Sequence, residues 1–174
     1  LLPLTMTPVR PRSIRKTELS SCWHRRQRKN KMEKIRTEIM DIIELIKEKY
    51  GDRCQLRSPL TKKQYEKAKK QLPAELCEIL RVSNGIDETM KDPNTNQTMV
   101  IDSIIYTLAE IKNETEHYRS EFGGNGFVFA GNGAGDFYVL KPDGSITLYE
   151  YFYLSESYEA DSLWDFFQTP TLQS

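Results

Sequence analysis

The chain has 174 residues, of which 38% are hydrophobic and 29% charged, and its formal net charge is zero. That length and balance suit a globular domain of ordinary size and argue against a disordered or membrane protein. No apolar run reaches the roughly 20 residues that span a bilayer, and the longest candidate, around 99–105, is interrupted by Asp102 and Ser103.

The three cysteines, Cys22, Cys54 and Cys77, form no CxxC pair, and an odd number cannot all pair within one chain. A disulfide scaffold is therefore disfavoured, and a reducing, cytoplasmic setting is expected. The two histidines are His24 and His117. Apart from His24 beside Cys22, no cysteine and histidine stand at zinc-ligand spacing, so neither a metal nor a cofactor is expected. Cys54 and Cys77 read as small buried apolar side chains.

The neutral total conceals unlike parts. Residues 1–31 carry nine Lys and Arg against one acid, Glu18, whereas 32–174 carry 16 bases and 24 acids. From Ile86 onward, four bases stand against fifteen acids. The basic leader has no apolar stretch, which excludes a secretory signal on composition. It reads as a nucleic-acid arm, a targeting presequence or a segment outside the functional protein. Met32 is followed at once by an amphipathic pattern, which favours the last reading. Residues 1–31 are thus expected to be a basic extension, disordered or not part of the functional protein, with 32–174 as the folded domain.

Ile35, Ile39, Ile42, Ile43, Ile46 and Tyr50 recur at spacings of three and four, which predicts an amphipathic helix over 33–50 that stops at Gly51. Thr61 is placed to cap a second helix over 62–71. Its run of Lys62, Lys63, Lys67, Lys69 and Lys70 is read as a solvated face rather than a phosphate site. Pro73 restarts the chain as a third helix over 73–82, closed by Asn84 and Gly85. The polar stretch 87–97 reads as an exposed loop. Residues 98–106, rich in β-branched side chains, read as a strand, and a polar helix over 108–120 follows. The last third reads as a meander with strands at 127–130, 137–140 and 145–153. Pro142, Asp143 and Gly144 form one turn, and a closing helix covers 160–168. Helices followed by antiparallel strands imply an α+β fold, mainly antiparallel sheet with helices packed on it.

Tests for chemistry are negative. Gly131, Gly133 and Gly135 with Asn132 and Asp136 resemble a phosphate loop only superficially. A dinucleotide loop needs a strand before it and a helix after it, and a P-loop needs Gly-Lys-Ser/Thr. Here both flanks are strands, and Asp136 would repel phosphate, so a hairpin-like connection with positive φ angles is the better reading. No nucleophile elbow is present. His117 lies in a polar helical stretch and reads as surface. No catalytic residue is assigned. Tyr149, Tyr151 and Tyr153 share one side of a strand, opposite Glu150 and Phe152. One side is expected to pack in the core; the other, or a loop holding Tyr158, is a candidate interface.

Leu72 and Pro73, the aliphatic residues Leu76, Ile79 and Leu80, and Asn84 with Gly85 form one motif. Phe129 and Ala130, the loop through Gly131, Gly135 and Asp136, and the strand from Phe137 to Leu140 form a second, and the tail around Trp164 a third. In this order they resemble the SUKH superfamily, which includes the yeast cell-wall-assembly regulators and many bacterial immunity proteins. The resemblance spans about 61–167 and implies a single SUKH-like domain that binds rather than catalyses. It implies a cytoplasmic immunity protein that neutralises a cognate toxin, such as a nuclease or deaminase, by protein–protein contact; the alternative is a regulatory adaptor of the cell-wall-assembly type. An acidic inhibitor would be steered toward the basic face of a nuclease. The candidate contacts are Asp87, Glu88, Asp92, Glu150, Tyr151, Tyr153, Glu156, Tyr158, Glu159 and Asp161. No membrane is expected as a partner, and no nucleic acid is expected to bind the folded body.

Overall fold

A computed structural model describes residues 16–169, with side chains from Trp23 onward. The chain divides into two units, Leu1–Lys34 and Ile35–Ser174. Helix α1 (Lys16–Tyr50) begins well before the amphipathic stripe that predicts it. The part of the basic leader that is described, 16–31, is helical. It is rich in Lys and Arg, which lose little on entering a helix, and it contains no Gly or Pro. Arg10, Arg12 and Arg15 lie outside the described residues. Within the second unit, α1 buries Ile35, Ile39, Ile42, Ile43 and Ile46, the stripe read from the sequence.

After a 3-10 turn at Gly51–Arg53 come β1 (Cys54–Leu56), α2 (Lys62–Ala68) and α3 (Ala74–Val82). Thr61 and Gln64 form a reciprocal capping box at the start of α2. Pro73 is the N-cap of α3, and Leu76, Cys77, Ile79 and Leu80 are buried. The helix ends at Ser83 in extended backbone, so Gly85 is not its cap. Gly85 has φ +103 and immediately precedes the next strand; a Cβ there would lie 3.0 Å from the Thr107 methyl group.

The first sheet has the order β1-β2-β3, with β2 (Ile86–Lys91) central and β3 (Thr98–Ile105) antiparallel to it. This corrects the reading of 87–97 as a loop: only 92–97 connects strands, while Asp87, Glu88 and Thr89 are buried. Composition disfavours Asp in a strand, but two arginines neutralise these acids. Arg57 clamps Asp87 through Nε at 2.6 Å and Nη2 at 2.8 Å, and Arg53 bonds Glu88.

Helix α4 (Leu108–Phe122) carries a second capping box, Thr107 with Glu110. It packs against the second sheet, a meander of β4 (Phe127–Gly131), β5 (Phe137–Leu140), β6 (Ile146–Glu150) and β7 (Ser155–Ala160). Tyr118, Val128, Phe137, Val139 and Tyr149 form one core cluster there. The Tyr106 amide donates to the Phe129 carbonyl at 2.8 Å and ties the end of β3 to β4. Boundaries in this part differ from the sequence reading, and the closing helix read from 160 begins at Leu163 because Ala160 ends a strand. The strand read at 145–153 stops at Glu150, and 155–160 forms a seventh strand where a loop is expected. The turn between them, Tyr151 to Leu154, consists of bulky residues of high strand propensity, so no turn signal marks it. Helix α5 (Leu163–Gln168) starts after Ser162, whose hydroxyl accepts from the Asp165 amide.

Glu78 is fully buried on α3. Its carboxylate accepts from Arg36 Nε at 3.1 Å, from Arg81 Nε at 2.6 Å and from the Tyr65 hydroxyl. Burial alone would raise its pKa, but these three donors outweigh burial and hold it below the ordinary glutamate value. The depressed folded pKa means that this stabilisation is complete above the unfolded glutamate pKa of about 4.3 and is lost as pH falls through the folded value. Glu78→Ala should cost about 2 kcal/mol at neutral pH, below the full cost of breaking a buried pair, because Arg36 and Arg81 are partly exposed and can rehydrate. Urea midpoints measured from pH 7 to pH 3 should show the gap between wild type and variant closing below about pH 4.

Candidate partner-binding surface

The β6–β7 turn presents four consecutive large apolar residues to solvent. Phe152 is 85%, Tyr153 72%, Leu154 67% and Tyr151 52% exposed. Apolar patches of this kind mark interaction sites on soluble proteins. The turn is held firmly from below. The Tyr151 amide donates to Asp136 Oδ1 at 3.0 Å, and the Tyr151 ring meets Phe122 edge-on, with centroids 5.7 Å apart. Phe152 and Tyr153 pack on one another edge-on. Leu154 sits at φ +50, in left-handed backbone that a leucine adopts only at a cost.

The candidate contacts separate into two groups. Asp87 and Glu88, expected in an exposed loop, are spent on Arg57 and Arg53 inside the first sheet. Asp92 stands in the β2–β3 connection, where its carboxylate accepts from the Asn94 and Thr95 amides; those bonds lower its pKa. Glu150, Tyr151, Tyr153, Glu156, Tyr158 and Glu159 all fall on or beside the β6–β7 hairpin, and Asp161 follows it directly. Tyr149 is buried in the core, whereas Phe152, on the other side of an imagined continuous strand, is the most exposed of the group because the chain has already turned.

Glu156 is not a free surface acid. Lys141 Nζ lies 2.6 Å from its Oε2, and the Tyr118 hydroxyl also donates to it. Burial alone would raise its pKa; the bonds from Lys141 and Tyr118 outweigh that and hold it below the ordinary value. Tyr158 is exposed, and its hydroxyl pKa is raised first by a hydrogen bond to Asp161 and then by burial. Glu159 and Asp161 are exposed. A second exposed apolar group, Met90, Met99, Val100 and Ile101, lies at the far end of the β2–β3 hairpin. Sequence reading placed Met99, Val100 and Ile101 in a strand but did not pick them out as an exposed group.

The glycine-rich segment is the β4–β5 connection. Asn132 Oδ1 accepts from the Ala134 amide at 2.9 Å and the Asp136 amide at 3.1 Å, and its Nδ2 donates to Asp136 Oδ2 at 2.9 Å. Gly133 and Gly135 take positive φ, as the hairpin reading requires. Asp136 therefore faces inward to the β6–β7 turn. The other motif residues also join elements. Asn84 Oδ1 accepts from the Leu108 amide at 2.9 Å and caps α4, Leu72 packs on the α2–α3 core, and Trp164 is half-buried on α5. His117 is exposed and packs edge-on to Phe122. An open groove of about 720 Å³ runs between Leu72, α4 and Phe127. It brings Lys112, Glu116, Arg119 and Ser120 together over an apolar floor. The buried Cys77 thiol has its pKa pushed up to about 11 by burial, so it stays protonated at neutral pH.

Among the described residues, no group of three or more His, Cys, Asp and Glu is placed to hold a metal ion, and no helix is long and apolar enough to cross a membrane. Two antiparallel sheets with helices packed on them define an α+β protein, and its β6–β7 turn exposes an aromatic group. The chain belongs to the SMI1 / KNR4 family (SUKH-1), whose model matches residues 61–169. That family is generally non-enzymatic, and membership suggests protein–protein interaction. No curated protein matches the chain.

If the hairpin keeps Leu154 at the expense of stability, Leu154→Gly should relieve the left-handed strain and stabilise the fold by about 1 kcal/mol. A rise of several degrees in the thermal midpoint would be the sign of it.

Proposed function

We propose that this protein is an immunity protein that binds a cognate toxin domain, such as a nuclease or a deaminase, and blocks it by protein–protein contact. The observation that carries this reading is the β6–β7 hairpin: four exposed apolar side chains on a braced turn, followed by Tyr158, Glu159 and Asp161. Tyrosine, which loses little conformational freedom on burial, is enriched at binding hot spots. A braced turn loses little further entropy on binding. The acids beside it would attract a basic partner and speed encounter, as expected for an inhibitor of an enzyme that handles nucleic acid. Family membership supports a binding role of this kind.

Co-expression with a candidate toxin from a neighbouring gene is the direct test. Cells should survive the toxin only with this chain present, and equal survival without it would sink the reading. Within the complex, Phe152→Ala with Tyr153→Ala should weaken affinity by about 100-fold, in line with truncation of two hot-spot residues. Because both side chains are exposed, the unfolding free energy should move by less than about 0.5 kcal/mol. Glu159→Lys with Asp161→Lys should slow association roughly tenfold at low salt and flatten its salt dependence, read by stopped-flow mixing. Glu156 is a poor choice for this test, since it holds Lys141 and Tyr118 in place.

A further inference from the structure

Between the end of α1, the first sheet, β5 and α5 lies a partly enclosed cavity of about 120 Å³. Its walls include four aromatic rings from three separate elements: Tyr50, Tyr138, Phe166 and Phe167. Tyr138 and Phe166 meet at 4.7 Å between centroids, and Phe166 and Phe167 at 5.0 Å. Two carboxylates, Glu88 and Asp102, also line it. Glu88 is bonded by Arg53. Asp102 accepts the Ser103 amide at 2.7 Å, and among the described residues it forms no ion pair. Burial above all, with the Glu88 carboxylate adding to it, raises the Asp102 pKa despite that amide bond.

Aromatic walls and an uncompensated carboxylate are what a desolvated organic cation needs: ring faces attract the charge, and the acid neutralises it. Lys49 already shows the preference, with its ammonium 5.5 Å from the Tyr50 ring centroid at the edge of the same cavity. A guanidinium fits better than an ammonium, because it is planar, stacks on rings and is more weakly hydrated. The cavity is also joined to the aromatic hairpin. Asn132 lines it and bonds Asp136, which in turn receives the Tyr151 amide.

We propose that this cavity is a cation-binding pocket that takes the guanidinium of an arginine side chain presented by the protein partner, an anchor beside the aromatic hairpin. The identity of the partner rests on the immunity reading; the pocket and its preference do not. The test is therefore made first on the protein alone. The full chain is titrated with N-acetyl-arginine amide and, in parallel, with N-acetyl-norleucine amide, following backbone amide shifts by NMR. The arginine compound should give saturable shifts at Asp102, Gly131, Asn132, Phe166 and Phe167, and the neutral one should not. Asp102→Asn should weaken binding at least fivefold. That variant removes a partly buried charge and keeps an acceptor for the Ser103 amide, so it should melt no lower than wild type. Lys49→Gln removes the internal competitor and should bind at least as tightly as wild type. Absence of saturable shifts, equal shifts with norleucine amide, unchanged affinity in Asp102→Asn or weakened affinity in Lys49→Gln would each overturn the pocket. Arginine binding in a chain that gives no protection against the toxin would leave the pocket standing and remove the immunity reading.

Discussion

The arginine clamp on Asp87 is the contact on which the first sheet turns. β2 is the central strand, yet it begins Ile-Asp-Glu-Thr, and a buried carboxylate without a partner would cost several kcal/mol. Arg57 answers Asp87 with two bonds, and the Ser103 hydroxyl adds a longer one at 3.4 Å from β3. The same arginine is fixed through its backbone. Its amide donates to the Gly85 carbonyl at 3.2 Å, and its carbonyl accepts the Ser83 hydroxyl at 3.0 Å. One residue thus joins β1, the end of α3, the glycine turn and the central strand. The glycine is required by the same geometry, since a side chain at position 85 would press on both Thr107 and Arg57.

This arrangement recurs through the fold and changes what the acidic composition means. Glu78 is held by Arg36, Arg81 and Tyr65, Glu88 by Arg53, and Glu156 by Lys141 and Tyr118. Acids that a count assigns to the surface are, in these cases, structural. Of the candidate acids, Glu159 and Asp161 stand exposed beside the aromatic turn. Net charge describes long-range attraction only after the internally matched charges have been set aside.

The elements legible in the sequence were those with local signals. The isoleucine stripe of α1, the capping residue Thr61 and the proline at the start of α3 each act within a few residues of chain. The strands of β4 and β5 and the glycine-rich connection between them were legible for the same reason. β2 was not, because its acids are tolerated only through Arg53 and Arg57, which lie some thirty residues earlier. β7 was not, because the turn before it has the composition of a strand, and tertiary bonds from Asp136 and Phe122 bend it. The candidate site shows the same division. Tyr151, Tyr153 and Tyr158, which the structure leaves exposed, could be picked out as candidates by type, whereas the aromatic cavity could not, since Tyr50, Tyr138 and Phe166 meet only in three dimensions.

The glycine loop gains its meaning from this long-range character. As an isolated motif it suggests a phosphate cradle. In place, its amides at Ala134 and Asp136 are turned onto Asn132, and its acid is turned toward Tyr151. Amides committed to an internal acceptor have no vacancy for an anion, and a carboxylate at that position would oppose one. The loop instead carries the position of β5 to the β6–β7 turn, so that four apolar side chains can be held out in water without the hairpin collapsing onto its own sheet. The strain at Leu154 fits the same account. A surface under selection for stability alone would place a glycine there and fewer apolar side chains beside it, so the turn keeps features that stability does not explain.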